Sequence, residues 1–308
     1  MKVGVYISNL NKIGGIETFA INLCNRTGFD LIFKDYDINQ LKKIKHNFYS
    51  VAHNSELEYD VIILAQSNWV PYPTKIKAKY FIQTIHADYK EVSEKHGFKY
   101  VKFDKTTHHI TVSKHVANVF EDITPYKIDK VIYNLLSDTE VTKVEKHKKL
   151  SFITLSRFSS EKGYERVLKM AEKLKGVDYI WNIYGDNNSN YAKEMIRLLE
   201  EYPNIKYRGV TTNAKEEIAK HSYLVQLSDT EGLCYSIYEA ISVHVPVIVT
   251  NFESSKELVI DGENGYILDM ELNNFCVNKI KRIPLIKSFK EKSTEKDWFE
   301  FINEITKN

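Results

Sequence analysis

Short apolar runs alternate along this chain with stretches in which apolar residues recur at helical spacing. Alternating strands and helices of this kind are typical of doubly wound parallel sheets, so we predict one α/β sheet in each half. In the first half the predicted strands cover residues 3–8, 30–34, 60–65, 80–85, 108–112 and 130–133, and the clearest helices cover 16–25 and 114–122. In the second half the predicted strands cover residues 150–155, 179–184, 205–207, 223–227 and 246–249.

A polar stretch, SDTEVTKVEKHKK, separates the two halves and has no sustained apolar period. We therefore predict a first domain at residues 1–137, a linker at 138–149 and a second domain at 150–290. In the last segment, 291–308, residues such as Trp298 and Ile302 recur at helical spacing and predict a helix over 295–305.

Composition excludes several classes of protein. The 308 residues include 43 basic and 41 acidic side chains. This balance gives no overall positive electrostatic field of the kind that would attract nucleic acid. The longest apolar runs are broken by His244 or Pro246 and fall short of the roughly 20 residues of a membrane span. The N-terminus begins with a core strand, and three scattered cysteines favour reduced thiols, so we expect a cytoplasmic protein. Lysine clusters in the first half are either solvated or attracted to the inner face of an anionic membrane: Lys42, Lys43 and Lys45; Lys75, Lys77 and Lys79; and Lys95, Lys99, Lys102 and Lys105.

The segment DTEGLCYSIYE carries the most distinctive chemistry of the chain. Glu231 and Glu239 flank a predicted helix start, where unpaired backbone N–H groups and the helix dipole favour an anion. Eight helical residues span about 12 Å, a length suited to a nucleotide sugar. The two glutamates could thus bind the hydroxyls of a sugar and of a ribose, although this spacing is also common on solvated helix faces.

Two basic residues follow the first strand of the second half. Arg157 and Lys162 lie where open parallel sheets bind ligands, and they could supply the fork and the point charge that a diphosphate needs. Near the N-terminus, Gly14 and Gly15 open the first helix and would permit close approach of a phosphate to the backbone. Solvated basic side chains and a simple turn are the alternative interpretations.

The motifs occur in a recognisable order: a Gly-Gly loop, a lone histidine in TIHADY, an arginine and a lysine before a helix, and two glutamates with seven residues between them. In this order the chain resembles the retaining glycosyltransferases of family 4, the glycosyl transferases group 1 set. The resemblance covers nearly the whole chain and is most specific from LSRFSSEKG through IYGDN and SDTEGLCYSIYEAISVHVPVIVT to KELVIDGENGYIL. It implies a GT-B type α/β fold, with two doubly wound Rossmann-like domains whose parallel sheets face a central cleft. The C-terminal helix would pack back on the first domain.

The resemblance also implies roles for individual residues. Glu231 would contact the donor sugar and Glu239 the ribose, while Arg157 and Lys162 hold the diphosphate. His86 would lie beside the transferred sugar. The remaining positions implied in donor binding are Gly14, Gly15, Gly185, Val210, Gly232, Leu233, Cys234 and Tyr235.

The expected reaction moves a hexose or an N-acetylhexosamine, with retention, from a nucleotide diphosphate sugar to a saccharide, glycolipid or protein-linked glycan. A UDP-sugar is the favoured donor. Fixed cations and helix amides would stabilise the leaving diphosphate. We expect no cofactor and no metal, because His108 and His109 have no third ligand at a recognisable spacing.

Three departures from the family pattern leave alternatives open. Ser254 and Ser255 stand where the family often has two glycines, Leu233-Cys234 replaces an aromatic-Gly pair, and the first half is short. One alternative is a non-catalytic partner that binds a glycan or a sugar nucleotide. Another is a sugar-nucleotide epimerase on the same fold.

Overall fold

The computed structural model describes residues 1–53, 56–65, 75–96, 107–141, 148–284 and 286–307. They form two compact units, one of Met1–Asp138 with Glu291–Asn308 and one of Thr139–Lys290. Residues 142–147 of the predicted linker, and three of the clustered lysines, lie outside the described residues: Lys99, Lys102 and Lys105.

A parallel sheet of seven strands forms the centre of the first unit. Its elements are β1 (Val3–Leu10), α1 (Gly15–Thr27), β2 (Asp30–Tyr36), α2 (Ile38–Leu41), β3 (Phe48–Ser50), β4 (Leu57–Leu64), β5 (Ile76–Ile85), α3 (Tyr89–His96), β6 (Thr107–Thr111), α4 (Lys114–Ile123) and β7 (Lys130–Val131). The strand order is β3-β2-β1-β4-β5-β6-β7. Val5 and Val61, on the central strands, are fully buried, as expected for strands covered on both faces.

A second parallel sheet, of six strands, forms the centre of the other unit. Its elements are β8 (Leu150–Leu155), α5 (Tyr164–Lys173), β9 (Tyr179–Tyr184), α6 (Asn190–Glu200), β10 (Ile205–Tyr207), α7 (Ala214–Ala219), β11 (Tyr223–Gln226), α8 (Tyr235–Ser242), β12 (Val247–Thr250), β13 (Gly265–Leu268) and α9 (Val277–Ile280), with 3₁₀ turns at Ser160–Lys162 and Glu253–Glu257. The strand order is β10-β9-β8-β11-β12-β13. The order therefore reverses between β8 and β11.

The two parallel sheets confirm the predicted α/β fold with two Rossmann-like domains. The predicted strands are all present, with ends that differ by a few residues. The pattern missed β3 and β13, the edge strands with three and four residues. It also missed α2, α3 and α9, because elements this short contain too few apolar residues to establish a period.

The last helix, α10 (Glu295–Thr306), belongs to the first unit and confirms the helix predicted from apolar spacing. It begins with a capping box between Thr294 and Asp297. Its Trp298 is fully buried, and the indole lies 6.0 Å from the Phe19 ring of α1, centroid to centroid. Burial of this apolar face holds α10 against the sheet unit.

Arg26, near the end of α1, joins the two chain segments of the first unit. Its guanidinium donates to the carbonyl oxygen of Leu136 at 3.1 Å and pairs with Asp138 at 3.0 Å. It also pairs with Glu291 at 3.0 Å and with Glu295 at 2.6 Å. One arginine thus ties the end of the first segment and the start of the returning segment to α1.

Candidate active site

The carboxyl ends of the strands in the second unit are followed by most of the predicted site residues. Arg157 follows β8, Gly185 follows β9, Val210 follows β10 and Glu231 follows β11. Because the strands are parallel, these ends lie along one edge of the sheet. Open parallel sheets bind ligands where the strand order reverses. Here that reversal places the segment after β8 beside the segment after β11.

Lys162 and Glu231 form an ion pair across this reversal. Lys162 ends the 3₁₀ turn Ser160–Lys162, and its Nζ donates to Glu231 Oε2 at 2.7 Å. The side chains are only 12% and 13% exposed. Burial by itself lowers the pKa of Lys162, but the neighbouring Glu231 carboxylate outweighs that effect and holds the pKa above its usual value. Lys162 therefore carries its charge at neutral pH.

The second oxygen of the Glu231 carboxylate is held by side chains at and just after the end of β11. Glu231 Oε1 accepts hydrogen bonds from Ser228 Oγ at 2.8 Å and from Gln226 Nε2 at 3.4 Å. Gln226 Nε2 also donates to Ser228 Oγ at 2.7 Å. A nearly buried carboxylate is tolerated only when it is paired and hydrogen-bonded in this way. The contacts on both oxygens fix the orientation of Glu231.

A close approach between two backbone segments supports the ion pair. Gly163 has φ 68°, and a Cβ at this position would lie 1.8 Å from the carbonyl oxygen of Leu227. Arg166 Nε donates to the same oxygen at 2.8 Å, and its guanidinium also pairs with Asp229. The Asp229 N–H donates to the Glu161 carbonyl oxygen at 2.8 Å. The turn that contains Lys162 is thereby fixed to the loop that contains Glu231.

Glu239 lies in the second turn of α8 and is partly buried. Burial raises the pKa of its carboxyl group to about 7, and the positive charge of Lys215 offsets this only in part. Within the described part of the chain, no residue donates a hydrogen bond to this carboxylate. Helix α8 begins at Tyr235, so only the part of this segment from Tyr235 to Glu239 is helical, and the prediction of eight helical residues is wrong.

The loop before α8 contains the other positions implied in donor binding. Leu233 is buried, whereas Gly232 and Tyr235 are partly exposed. Cys234 is the N-cap residue, and its Sγ lies 3.2 Å from Ser236 Oγ. Burial raises the pKa of Cys234 to about 12, so the thiol stays protonated. The first turn of α8 contains no acidic residue that would repel an anion from its positive dipole end.

Arg157, Gly185 and Val210 follow β8, β9 and β10 along the same edge of the sheet. The Arg157 side chain is 64% exposed, and its Nη2 is 3.8 Å from Glu161 Oε1. The Gly185 N–H donates to the Gly209 carbonyl oxygen at 2.8 Å, which places the ends of β9 and β10 together. Val210 is 53% exposed. Arg157 and Val210 are therefore open to solvent.

In the first unit, the predicted site residues lie around α1. Gly14 is the N-cap residue, with extended backbone, and Gly15 begins the helix. His86 directly follows β5, and its Nε2 lies 2.8 Å from Thr84 Oγ1. Its ring lies 4.5 Å from that of Phe19 on α1, centroid to centroid. Burial lowers the pKa of His86 to about 3, so its imidazole is neutral at physiological pH.

Sequence reasoning missed the residues that hold Glu231 in place. Gln226 and Ser228 lie at the polar end of the segment YLVQLSD, which is otherwise apolar. That change in polarity was the signal in the sequence that could have identified them. The serine pair that departs from the family pattern is explained by hydrogen bonds. Ser254 Oγ donates to the Glu231 carbonyl oxygen at 2.6 Å, and Ser255 Oγ donates to the Phe252 carbonyl oxygen at 2.6 Å.

Comparison with known proteins places this geometry in a family. The family model described as "Glycosyl transferases group 1" matches residues 138–293. An uncharacterized 41.2 kDa protein in the cps region of Klebsiella pneumoniae is 27% identical over 160 residues, which are 48% of this chain. The chain spans 43% of the length of that relative. An uncharacterized glycosyltransferase of Haemophilus influenzae is 21% identical over 87% of this chain and 86% of its own length.

The fold has close counterparts among solved structures. Anabaena Alr3699/HepE, crystallised in complex with UDP and glucose, superposes with a TM-score of 0.70 at 15% identity and full coverage of both chains. This similarity shows the GT-B fold. The family match covers half of the chain and includes the Lys162–Glu231 pair and Glu239, so this protein belongs to the glycosyl transferases group 1 family.

Proposed function

We propose that the protein is a retaining family 4 glycosyltransferase that moves a hexose or an N-acetylhexosamine from a UDP-sugar to a hydroxyl of a saccharide, glycolipid or protein-linked glycan. The observation that carries this proposal is the Lys162–Glu231 ion pair at the strand reversal, with Glu239 on the adjoining helix. A fixed cation, a fixed carboxylate and the positive end of α8 suit a sugar diphosphate.

The environment of Glu239 supports a nucleotide donor. A partly buried carboxylate without a hydrogen-bond donor among the described residues is costly, and the two hydroxyls of a ribose would satisfy it. The Anabaena protein was solved with UDP, which favours uridine as the base. Gly185, Val210 and the loop Gly232–Tyr235 would then line the donor in the second unit.

The mechanism breaks the bond between the anomeric carbon and the diphosphate oxygen. Negative charge develops on the leaving diphosphate, and Arg157, Lys162 and the amides at the start of α8 would stabilise it more in the transition state than in the ground state. The leaving phosphate oxygen would take the proton of the acceptor hydroxyl. The acceptor oxygen would attack the anomeric carbon from that same face and form the new glycosidic bond, which gives retention. Glu231 would orient the sugar.

The acceptor and the location of the protein form the broader part of the proposal. Among the helices that the structure describes, none combines the length and the apolar character that a membrane span requires. Lys77 pairs with Glu56, and Lys79 with Asp60 at 3.0 Å, which reduces the positive charge of that lysine cluster. Peripheral contact with an anionic membrane at the cytoplasmic face would therefore depend on the other lysines. Salt-sensitive co-sedimentation with anionic vesicles tests this part.

A panel of nucleotide sugars tests the proposed reaction. Calorimetry should show UDP and UDP-sugars binding, and incubation with saccharide acceptors should then release UDP with formation of a glycoside. The anomeric coupling constant of the product should show an α-linkage from an α-linked donor. Binding without any transfer or hydrolysis would support the non-catalytic partner instead. Turnover of the donor sugar itself without an acceptor would support the epimerase.

A further inference from the structure

Glu231 lies on a loop, although its carboxylate is tightly oriented. The segment between Gln226, which ends β11, and Tyr235, which begins α8, has no regular secondary structure. Hydrogen bonds to the carboxylate can orient it only if the backbone of Glu231 is also fixed. Side chains at functional sites are held in place by such additional contacts from neighbouring residues.

Two side-chain hydroxyls provide this support, one from the neighbouring strand β12 and one from the 3₁₀ turn that follows it. Thr250 Oγ1, at the end of β12, donates to the Ser228 carbonyl oxygen at 2.5 Å. Ser254 Oγ, in the 3₁₀ turn Glu253–Glu257, donates to the Glu231 carbonyl oxygen at 2.6 Å. Both donors are buried, with 0% and 1% of their surface exposed. The loop is therefore hydrogen-bonded through its backbone at Ser228 and at Glu231, the two residues whose side chains contact each other.

The adjacent serine, Ser255, makes different hydrogen bonds. Ser255 is also 1% exposed, but its Oγ donates to the carbonyl oxygens of Phe252 and Thr250, at 2.6 Å and 3.2 Å. These bonds hold the 3₁₀ turn to its own strand and do not reach the Glu231 loop. The two serines therefore have different hydrogen-bond partners: Ser255 stabilises the turn, and Ser254 joins the turn to the loop.

We propose that Ser254 is a positioning residue for Glu231, acting through the Glu231 carbonyl oxygen to keep the carboxylate at the sugar and against Lys162. This inference rests on the proposed function in one respect, the contact between Glu231 and the donor sugar. A buried hydroxyl is costly unless it makes a hydrogen bond, and among the described residues the Ser254 hydroxyl makes this bond to the Glu231 carbonyl oxygen.

The kinetic test compares Ser254→Ala with Ser255→Ala. Both changes remove one buried hydroxyl from the same turn, so both should lower the thermal midpoint. Ser254→Ala should reduce kcat for UDP-sugar turnover by about tenfold or more, because a small displacement of Glu231 misplaces the reacting sugar. Its affinity for UDP, which lacks the sugar, should remain that of the wild type. Ser255→Ala should keep the wild-type kcat. Equal losses of kcat in both variants, or none in Ser254→Ala, would overturn the proposal.

A second measurement does not require catalysis. The free energies of unfolding of Lys162→Met, Glu231→Gln and the double variant give the coupling between the two side chains. In a Ser254→Ala background this coupling should fall by about half or more, and in a Ser255→Ala background it should persist. If the wild type turns over no sugar nucleotide while the coupling falls as expected, the proposed function is wrong and the positioning role stands. Unchanged coupling in the Ser254→Ala background refutes the positioning role.

Discussion

The Nζ of Lys162 lies 2.7 Å from Oε2 of Glu231, and this contact joins the segment after β8 to the segment after β11. Both side chains are nearly buried, so the charges depend on each other. Removing either partner therefore affects the stability of the fold as well as any ligand that binds there.

Lys162→Met should lower the free energy of unfolding by about 2–4 kcal/mol, since it leaves the Glu231 carboxylate without its counter-ion. Glu231→Gln in the same chain should recover much of that loss, because the amide carries no charge. Urea unfolding of the two single variants and the double variant measures the coupling. Additive losses would show that the ion pair does not contribute to stability.

Arg157→Ala should weaken UDP binding by about tenfold, through loss of a charge-assisted contact with the diphosphate, without a change in thermal midpoint. The side chain is 64% exposed, so the fold does not depend on it. Arg197→Ala is a matched control, because that arginine is 67% exposed and pairs with Glu201, the C-cap residue of its own helix α6. Calorimetry that gives both variants wild-type affinity would remove Arg157 from the donor site.

Glu239 should make donor binding depend on pH. Its pKa is raised from 4.5 to about 7 by burial, so the folded state retains the proton, and stability is lost as the pH rises through this interval. The ionised carboxylate accepts hydrogen bonds from ribose hydroxyls, so affinity for UDP-glucose should increase severalfold between about pH 6 and about pH 8. UDP-glucose is the suitable ligand because its diphosphate does not titrate in this range.

Glu239→Gln is the control for this pH dependence. The amide cannot ionise, so its affinity for UDP-glucose should stay level over the same interval, and its unfolding free energy should no longer fall with rising pH on account of this position. A wild-type slope that survives in the variant would assign the titration to another group.

Gly163→Ala should destabilise the second unit more than Gly176→Ala does. Both glycines have positive φ, 68° and 82°, so alanine at either position costs about 1–2 kcal/mol in backbone strain. Only at Gly163 would the new Cβ meet another backbone, at 1.8 Å from the Leu227 carbonyl oxygen, which adds about 1–3 kcal/mol. Chemical unfolding measures both. Equal losses would indicate that the turn can move away from β11.

Transfer should survive EDTA. Within the part of the chain that the structure describes, no three His, Cys, Asp or Glu side chains are grouped as metal ligands. Cations and helix amides can provide the charge that a divalent ion would supply to the diphosphate. The initial rate of UDP release should be the same with and without chelator. Loss of activity in EDTA and its return with Mg²⁺ or Mn²⁺ would contradict this account.

The sequence by itself determined the longer elements and indicated the candidate residues. Strands buried on both faces, such as β1 and β4, appear as apolar runs, and α10 appears through the helical spacing of Trp298 and Ile302, because local burial imposes a local pattern. The order of the motifs was sufficient to indicate the family to which the chain belongs.

Only the tertiary structure decided which of these residues meet. Lys162 and Glu231 are 69 positions apart in the chain, and their contact depends on the pairing of β8 with β11 and on the approach of Gly163 to Leu227. Whether a serine such as Ser254 bonds its own turn or a distant loop also depends on which strands are neighbours. These relationships arise from long-range packing, which no local period or spacing encodes, so the sequence could propose candidate residues but not their partners.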